Sequence, residues 1–274
     1  MKRLLLIFCL AALSSCTSDY IKVAEQQIVV EGWIDSGLPP IVMVTKSAPL
    51  STEFRKIEDL GENIVRWAKV TVSDGTDEVV LIGRPDDHYD TGYIYTTAWM
   101  DGVPGRTYSL KVEYDGKVLT AKTTIPEPRT LDKIETVPSG DAFSILATFS
   151  PSGEYYAFFT RVEKVDSCYA PSFLGVFSND DFQGREQLTT GVNPGRTIAR
   201  QTYTSSYNEG DKVHIKFCTM DRQTWEYWNA FQRVSSLSAS PVFPVRENLP
   251  SNIEGGLGYW AGYGASWSTV EVHR

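Results

Sequence analysis

Four side chains that could bind a metal ion lie within five residues: Asp86, Asp87, His88 and Asp90. Carboxylate oxygens are the ligands that Ca²⁺ prefers, so this segment is the first candidate for a cation site. The spacing does not match an EF-hand loop, and acidic residues at the tip of a hairpin are commonly just solvated. We therefore keep the three aspartates as a weak metal candidate and predict neither a resident metal nor a cofactor.

Histidine-based catalysis has only three candidate residues in this sequence, His88, His214 and His273. The sequence contains no H-E-x-x-H and no G-x-S-x-G, so the spacing typical of zinc proteases and of many hydrolases is missing. A glycosidase needs two carboxylates that converge in one cleft, and nothing in the sequence selects such a pair. We therefore predict that the protein is not an enzyme, with a hydrolase of unrecognised site as the weakest alternative.

A glycine-rich stretch, Gly256–Ala261, matches the G-x-G-x-x-A spacing of a dinucleotide-binding loop. Such a loop follows a strand and opens a helix whose N-terminus holds the phosphates. Here Pro250 and two polar residues come first and a strand-like segment follows, so we predict a tight loop that binds no nucleotide. The candidate binding or signature residues are Asn252, Glu254, Gly255, Gly256, Gly258, Tyr259, Trp260 and Tyr263.

Aromatic side chains crowd the last fifty residues. They are Trp225, Tyr227, Trp228, Phe231, Tyr259, Trp260, Tyr263 and Trp267. Aromatic stripes on a helix usually pack into a core, which is the interpretation we favour. The alternative is an exposed platform for a glycan or a protein partner, because Tyr and Trp dominate such surfaces.

The first fifteen residues have the pattern of a signal peptide. Two basic residues precede an apolar run, Leu4–Leu13, which is too short to span a bilayer. The run ends in Leu-Ser-Ser-Cys16, which resembles a bacterial lipobox. We predict that residues 1–15 are removed, that Cys16 carries the lipid anchor and that residues 16–26 form a tether. An ordinary secretory peptide is the alternative.

Once the signal peptide is removed and Cys16 is lipidated, two cysteines remain, Cys168 and Cys218. An exported protein can form disulfides, and this one would close a loop of about 50 residues, worth about 4 kcal/mol in the chain-entropy model. Cys218 lies on the same face of a predicted strand as Lys216, away from the apolar face. The pair is therefore a candidate disulfide, and two separate thiols are the alternative.

The charge of the chain argues against a polyanionic partner. The formal net charge is −8, and two of the basic residues lie in the predicted signal peptide. Such a surface repels phosphate backbones, so we predict no binding of nucleic acid.

Turn residues and alternating apolar residues predict a mainly β fold. Residues 27–126 contain short strands at the spacing of an immunoglobulin-like β-sandwich, with hairpins at Asp74-Gly75 and Asp115-Gly116. Residues 127–140 are rich in proline and charge and predict an interdomain linker or a long connecting strand. A second β-rich domain follows over residues 141–274, and the spacing of its aromatic residues predicts one helix near 221–236, with Asp221 as the N-cap.

The C-terminal stretch "LPSNIEGGLGYWAGYGAS" resembles a signature of Bacteroidetes-type envelope lipoproteins grouped as domain of unknown function 4249. The lipobox, "VVEGWI", "PPIVMVTKSAPL", "GRTYSLKV" and "TWEYW" extend the resemblance over the mature chain. It implies an outer-membrane lipoprotein that accompanies a TonB-dependent outer-membrane receptor, and it implies no chemistry. A run of acids after the cysteine usually directs such proteins to the cell surface. Here only Ser18-Asp19 is present, so the periplasmic face and the cell surface both remain open.

These observations lead to one functional hypothesis and one alternative. We expect a non-enzymatic accessory or binding subunit, anchored through Cys16 and associated with a TonB-dependent transporter, which captures a nutrient or supports the complex. The alternative is an adhesin or a structural module of the envelope. A concave aromatic pocket would favour nutrient binding, and a flat apolar patch would favour a protein partner.

Overall fold

A computed structural model describes residues 26–47, 61, 63–89, 91–153, 155–182, 184–195, 204–237 and 249–273. Within these ranges the chain forms fifteen strands and one α-helix, which confirms the predicted mainly β fold. The elements are β1 (Ile28–Asp35), β2 (Ile41–Lys46), β3 (Lys69–Ser73), β4 (Glu78–Val80), β5 (Ile82–Pro85), β6 (Tyr93–Thr96), β7 (Thr107–Tyr114), β8 (Lys117–Thr124), β9 (Lys133–Ser139), β10 (Ala142–Phe149), β11 (Tyr155–Val162), β12 (Ala170–Ser178), β13 (Leu188–Val192), β14 (Lys212–Met220), α1 (Arg222–Leu237) and β15 (Leu257–Glu271).

The strands form three sheets. The largest has eight strands in the order β12-β11-β14-β15-β1-β2-β6-β5. A four-stranded sheet has the order β4-β3-β7-β8, and a three-stranded sheet has the order β13-β10-β9. In the eight-stranded sheet β1 and β15 run parallel, while the other neighbours are antiparallel.

Both small sheets cover the same face of the eight-stranded sheet. The four-stranded sheet packs on β1 and β2 around a core that includes Val30, Tyr108 and Trp260. The three-stranded sheet packs on β11 and β14, where Phe149 and Phe217 lie 4.7 Å apart between ring centroids. Helix α1 covers part of the opposite face, so the molecule has three layers.

The eight-stranded sheet contains strands from both predicted domains. Strand β15, near the end of the second segment, pairs with β1 from Val29↔Leu257 to Asp35↔Tyr263. Residues 127–140, predicted as a linker or a long connecting strand, include strand β9, and the segment from Pro126 to Arg129 passes over β15. A parallel partner so distant in sequence leaves no local turn signal, so nothing in the sequence indicated this pairing.

The crossing over β15 depends on small residues. A Cβ atom at Gly262 would lie 2.9 Å from the carbonyl of Thr124, and one at Gly264 would overlap the carbonyl oxygen of Pro126. The Gly262 N–H donates to Thr123 Oγ1 at 2.7 Å. Glycine at both positions therefore lets the chain leave β8 and cross the sheet in direct contact with it.

The hairpins agree with the turn signals. Asp115 and Gly116 both have positive φ, 50° and 73°, as a two-residue turn between β7 and β8 requires. Between β3 and β4, the Asp74 carboxylate accepts from the N–H groups of Thr76 and Asp77 at 2.9 and 2.8 Å. The sequence therefore predicted both hairpins correctly, because their turn residues act locally.

The helix lies within one residue of its predicted bounds. Asp221 Oδ1 accepts from the Thr224 N–H at 2.8 Å, which is the geometry of an N-cap. Tyr227 and Trp228 are buried on the side that faces the sheet, where both contact Tyr259.

We expect the Asp221→Ala variant to lose about 1 kcal/mol of unfolding free energy, because the Thr224 N–H in the first turn loses its side-chain acceptor. The measurement is urea unfolding followed by circular dichroism. Asp221→Asn keeps an acceptor oxygen and should stay close to wild type. Equal losses in both variants would contradict the capping role.

Candidate functional site

A pocket of about 640 Å³ opens on the face of the eight-stranded sheet that carries α1. It lies between β1, β2, α1, the loop before β12 and the floor formed by β14 and β15. Its aromatic lining comprises Trp33, Tyr89, Tyr169, Tyr227, Trp228, Phe231, Tyr259 and Trp267. Its charged and nucleophilic lining comprises Glu31, Asp35, His88, Arg161, Cys168 and Lys216. The volume and the lining are those of a site for a small molecule.

Strand alternation places the aromatic residues of β15 on two faces. Tyr259 faces the pocket, whereas Trp260 points into the opposite core and donates from Nε1 to the Tyr108 carbonyl at 3.0 Å. Both side chains are buried. The predicted core role therefore holds for Trp260, while Tyr259 forms part of a pocket wall.

Helix α1 is fixed to the sheet by aromatic contacts and by hydrogen bonds, among them one from the Val176 N–H of β12 to Gln232 Oε1 at 3.2 Å. The ring centroids of Tyr227 and Tyr259 are 4.5 Å apart, and those of Trp228 and Tyr259 are 5.4 Å apart. Trp228 Nε1 donates to Tyr263 Oη at 2.6 Å. Burial raises the pKa of Tyr259 and of Tyr263 well above 10.0, so both phenols stay neutral at physiological pH.

A buried ion pair lies at the floor of the pocket. Lys216 Nζ donates to both carboxylate oxygens of Asp35, at 2.6 and 2.8 Å, and each side chain is 7% exposed. The ammonium also lies 4.6 Å from the ring centroid of Tyr263. Burial is the largest single influence and lowers the pKa of Lys216, but the attraction and hydrogen bonds of Asp35, together with Cys218 and Tyr169, raise it, and the net shift is upward. The pair joins β14 to β1 across β15.

Two of the signature residues have scaffold contacts. The Asn252 side chain accepts from the Trp260 N–H at 2.9 Å and donates to the Trp260 carbonyl at 2.8 Å. Glu254 exchanges both backbone hydrogen bonds with Thr120, at 2.8 and 3.1 Å. Together they hold the segment before β15 against the edge of the four-stranded sheet.

The signature glycines allow close approach of backbones. At Gly258 φ is +110°, and a Cβ atom there would overlap the carbonyl oxygen of Val30 on β1. At Gly255 φ is +81° and a Cβ atom would lie 2.8 Å from Val118 O, while one at Gly256 would lie 2.7 Å from Ile28 O. The predicted loop is shorter than expected, because β15 already begins at Leu257.

The candidate disulfide is wrong, because Cys168 and Cys218 are both thiols. Cys218 lies inside β14 between Ala157 and Ala265 of the neighbouring strands, and Cys168 lies in the loop that lines the pocket. Cys218 does share a face with Lys216, but that face lies beneath α1, so the thiol is buried. Burial raises the pKa of Cys218.

The weak metal candidate is only partly described, because Asp90 lies outside the described residues. Asp86 Oδ1 contacts the His88 ring nitrogen Nδ1 at 2.8 Å, and Asp86 Oδ2 pairs with Arg84 at 3.0 Å. Asp87 is exposed. Over the ranges that the structure covers, no three His, Cys, Asp or Glu side chains are grouped closely enough to hold a metal ion. Asp86 therefore serves local ion pairs.

The predicted signal peptide, the Cys16 anchor and most of the tether, up to residue 25, lie outside the described residues. Among the residues that are described, no helix has the length and apolar character needed to cross a bilayer.

Sequence analysis did not identify several pocket residues, among them Trp33, Asp35, Arg161 and Lys216. Little in the sequence signalled Lys216, because it continues the polar alternation of Lys212 and His214 along β14. A lysine at such a position is buried only when a counter-charge faces it, but the sequence does not identify Asp35 as that partner.

Comparison with known proteins gives one family. The profile of the family described as Domain of unknown function (DUF4249) matches residues 16–268. No curated protein matches the chain.

Proposed function

The chain belongs to the DUF4249 family, and from this premise and the geometry of the pocket we propose that it is a membrane-anchored, non-enzymatic protein that binds a small molecule. The observation that carries the proposal is the concave, aromatic-lined pocket between α1 and the eight-stranded sheet. Such a cavity favours capture of a small ligand over docking of a protein on a flat patch.

The carboxyl groups support a binding role over catalysis. Four of them have a shifted pKa among the described residues: Asp74, Asp86, Glu113 and Glu163. Hydrogen bonds lower the pKa in every case, whereas a general acid at neutral pH needs a raised one. In the pocket, the negative charge of Asp35 is balanced by the ammonium of Lys216, with which it forms an ion pair.

The cellular setting follows from the sequence pattern and the family resemblance. Lipid on Cys16 would hold the domain at the outer membrane, next to a TonB-dependent receptor to which it delivers its ligand. An adhesin or structural module of the envelope is the second candidate, and the nearly fully exposed Trp67 (89%) and Trp99 (84%) favour it as a surface for protein contacts.

The test of pocket binding is retention of small molecules from an extract of the native medium, identified by mass spectrometry. The lipidated protein is held in lipid nanodiscs, because free detergent could enter the pocket. Ser167 is exposed at the pocket, so Ser167→Trp should narrow the opening and reduce retention several-fold. Ser205→Trp places the same side chain at an exposed site outside the pocket and should retain the wild-type set. Equal retention by both variants would exclude this pocket as the site.

The test of the partner is a pull-down of the lipidated protein from its native envelope in mild detergent, followed by mass spectrometry. One outer-membrane receptor recovered in constant ratio would support an accessory subunit. Recovery of the lipoprotein alone would contradict that role and favour the adhesin hypothesis. Cys16→Ser removes the lipid anchor and should therefore abolish recovery of the receptor.

A further inference from the structure

We propose that the pocket selects a small monocarboxylate with an aromatic or apolar body, and that Arg161 binds the carboxylate. This inference rests on the proposed binding function and names the class of ligand for the same pocket.

The evidence begins with the surroundings of Arg161. The residue lies on β11 and lines the pocket, and its Nε is buried without a hydrogen-bond partner. The guanidinium carbon lies 5.7 Å from the ring centroid of Tyr169. Among the described residues no carboxylate pairs with Arg161. Arg161 also interacts with the Tyr169 hydroxyl, but without a counter-ion its guanidinium keeps donors, Nε among them, for a carboxylate.

The other basic side chains of the pocket, Lys216 and His88, already have acidic partners. Lys216 directs its ammonium at both oxygens of Asp35. The His88 ring contacts Asp86, and its side chain is largely exposed. Arg161 is therefore the basic side chain of the pocket that is available to bind an anionic ligand.

Strand register separates Arg161 from the pocket acid Glu31. Glu31 lies opposite Tyr259 on β15. Arg161 lies opposite His214, which in turn lies opposite Thr269, ten positions further along β15 than Tyr259. The acid and the guanidinium are therefore at opposite ends of the pocket. Glu31 is therefore too far from Arg161 to pair with it, which leaves the guanidinium available to the carboxylate of a ligand.

The rest of the lining limits the ligand. The acidic net charge of the chain, −8, opposes a polyanion, and Asp35 is already paired with Lys216. A single guanidinium satisfies one carboxylate through two parallel hydrogen bonds. The aromatic wall, with Trp228 and Tyr259 in edge contact, offers flat apolar surfaces to the remainder of the molecule. An aromatic or apolar monocarboxylate meets all three conditions.

The test compares two probes of nearly identical shape, naphthalene carboxylate and naphthalene carboxamide, by isothermal titration calorimetry on the lipidated protein in nanodiscs. We expect the wild type to bind the carboxylate about tenfold more tightly than the amide, since a charge-assisted bidentate pair is the stronger interaction. Arg161→Gln should lower that ratio to about one while amide binding persists, which also reports an intact pocket. Arg161→Lys should give an intermediate ratio.

Arg185→Gln removes the same charge from an exposed site outside the pocket and should keep the tenfold ratio. Equal binding of both probes by the wild type, unchanged in Arg161→Gln, would overturn the carboxylate inference while leaving pocket binding intact. Failure of the wild type to bind either probe would also overturn the carboxylate inference. The separate retention experiment with Ser167→Trp would then decide whether the proposed function holds.

Discussion

The Lys216→Met variant is expected to lose about 3–5 kcal/mol of unfolding free energy. The substitution keeps the volume of the side chain but leaves the Asp35 carboxylate buried at 7% exposure without its counter-ion. Burying an unpaired charge costs far more than the pair contributes when both partners are present. Urea unfolding followed by tryptophan fluorescence measures the loss.

Two matched variants separate this effect from a general loss of charge. Lys212→Met, on the same strand, removes an exposed pair with Glu163 and should leave stability nearly unchanged. Adding Asp35→Asn to Lys216→Met should recover part of the loss, because no buried charge then remains. A double variant as unstable as Lys216→Met alone would show that packing, and not charge, accounts for the loss.

The same ion pair predicts a pH dependence at the alkaline end. The folded-state pKa of Lys216 is raised above 10.5, so its contribution to stability is complete below that pH. The contribution is lost as the pH rises above 10.5 and through the folded-state pKa, because the ammonium that holds Asp35 deprotonates.

Gly258→Ala is expected to lose at least about 3 kcal/mol and to disturb the pairing of β1 with β15. Two causes combine at this position. The backbone has φ +110°, which L side chains rarely adopt, and the new Cβ would overlap the carbonyl oxygen of Val30. A β-sheet cannot widen at one residue without losing neighbouring hydrogen bonds, so the strands must separate locally.

Gly37→Ala is the matched control for Gly258→Ala, because Gly37 also has positive φ, +77°, but a Cβ atom there would have no other atom within 4 Å. It should cost only the conformational strain, about 1–2 kcal/mol. Urea unfolding of both variants gives the difference, and hydrogen exchange of the β1 amides locates it. Equal losses would refute the close approach of β15 to β1.

Local features of the fold were predictable from the sequence. Asp115-Gly116 determines its hairpin because both residues accept positive φ, and Asp221 determines the start of α1 because its carboxylate satisfies the first turn. These effects act within a few residues of the chain. The mainly β character was predictable for the same reason, since alternation is a local pattern.

The site depends on contacts that no local pattern encodes. Asp35 and Lys216 are 181 residues apart, and the parallel pairing of β1 with β15 brings their strands together. The disulfide prediction failed because the polar face of β14 is covered by α1, which the strand pattern of Cys218 does not reveal. The aromatic residues near Tyr259 were identified correctly as a cluster, but their division between a core and a pocket follows from the tertiary structure.

The place of β15 between β1 and β14 also has a consequence for biogenesis. Strand β1 is made near the beginning of the chain, yet one of its edges stays unpaired until residues 257–263 have been synthesised. Contacts of such long sequence separation form slowly, and an open strand edge is a template for intermolecular pairing. We therefore expect aggregation to compete with folding until β15 has been synthesised and has paired with β1.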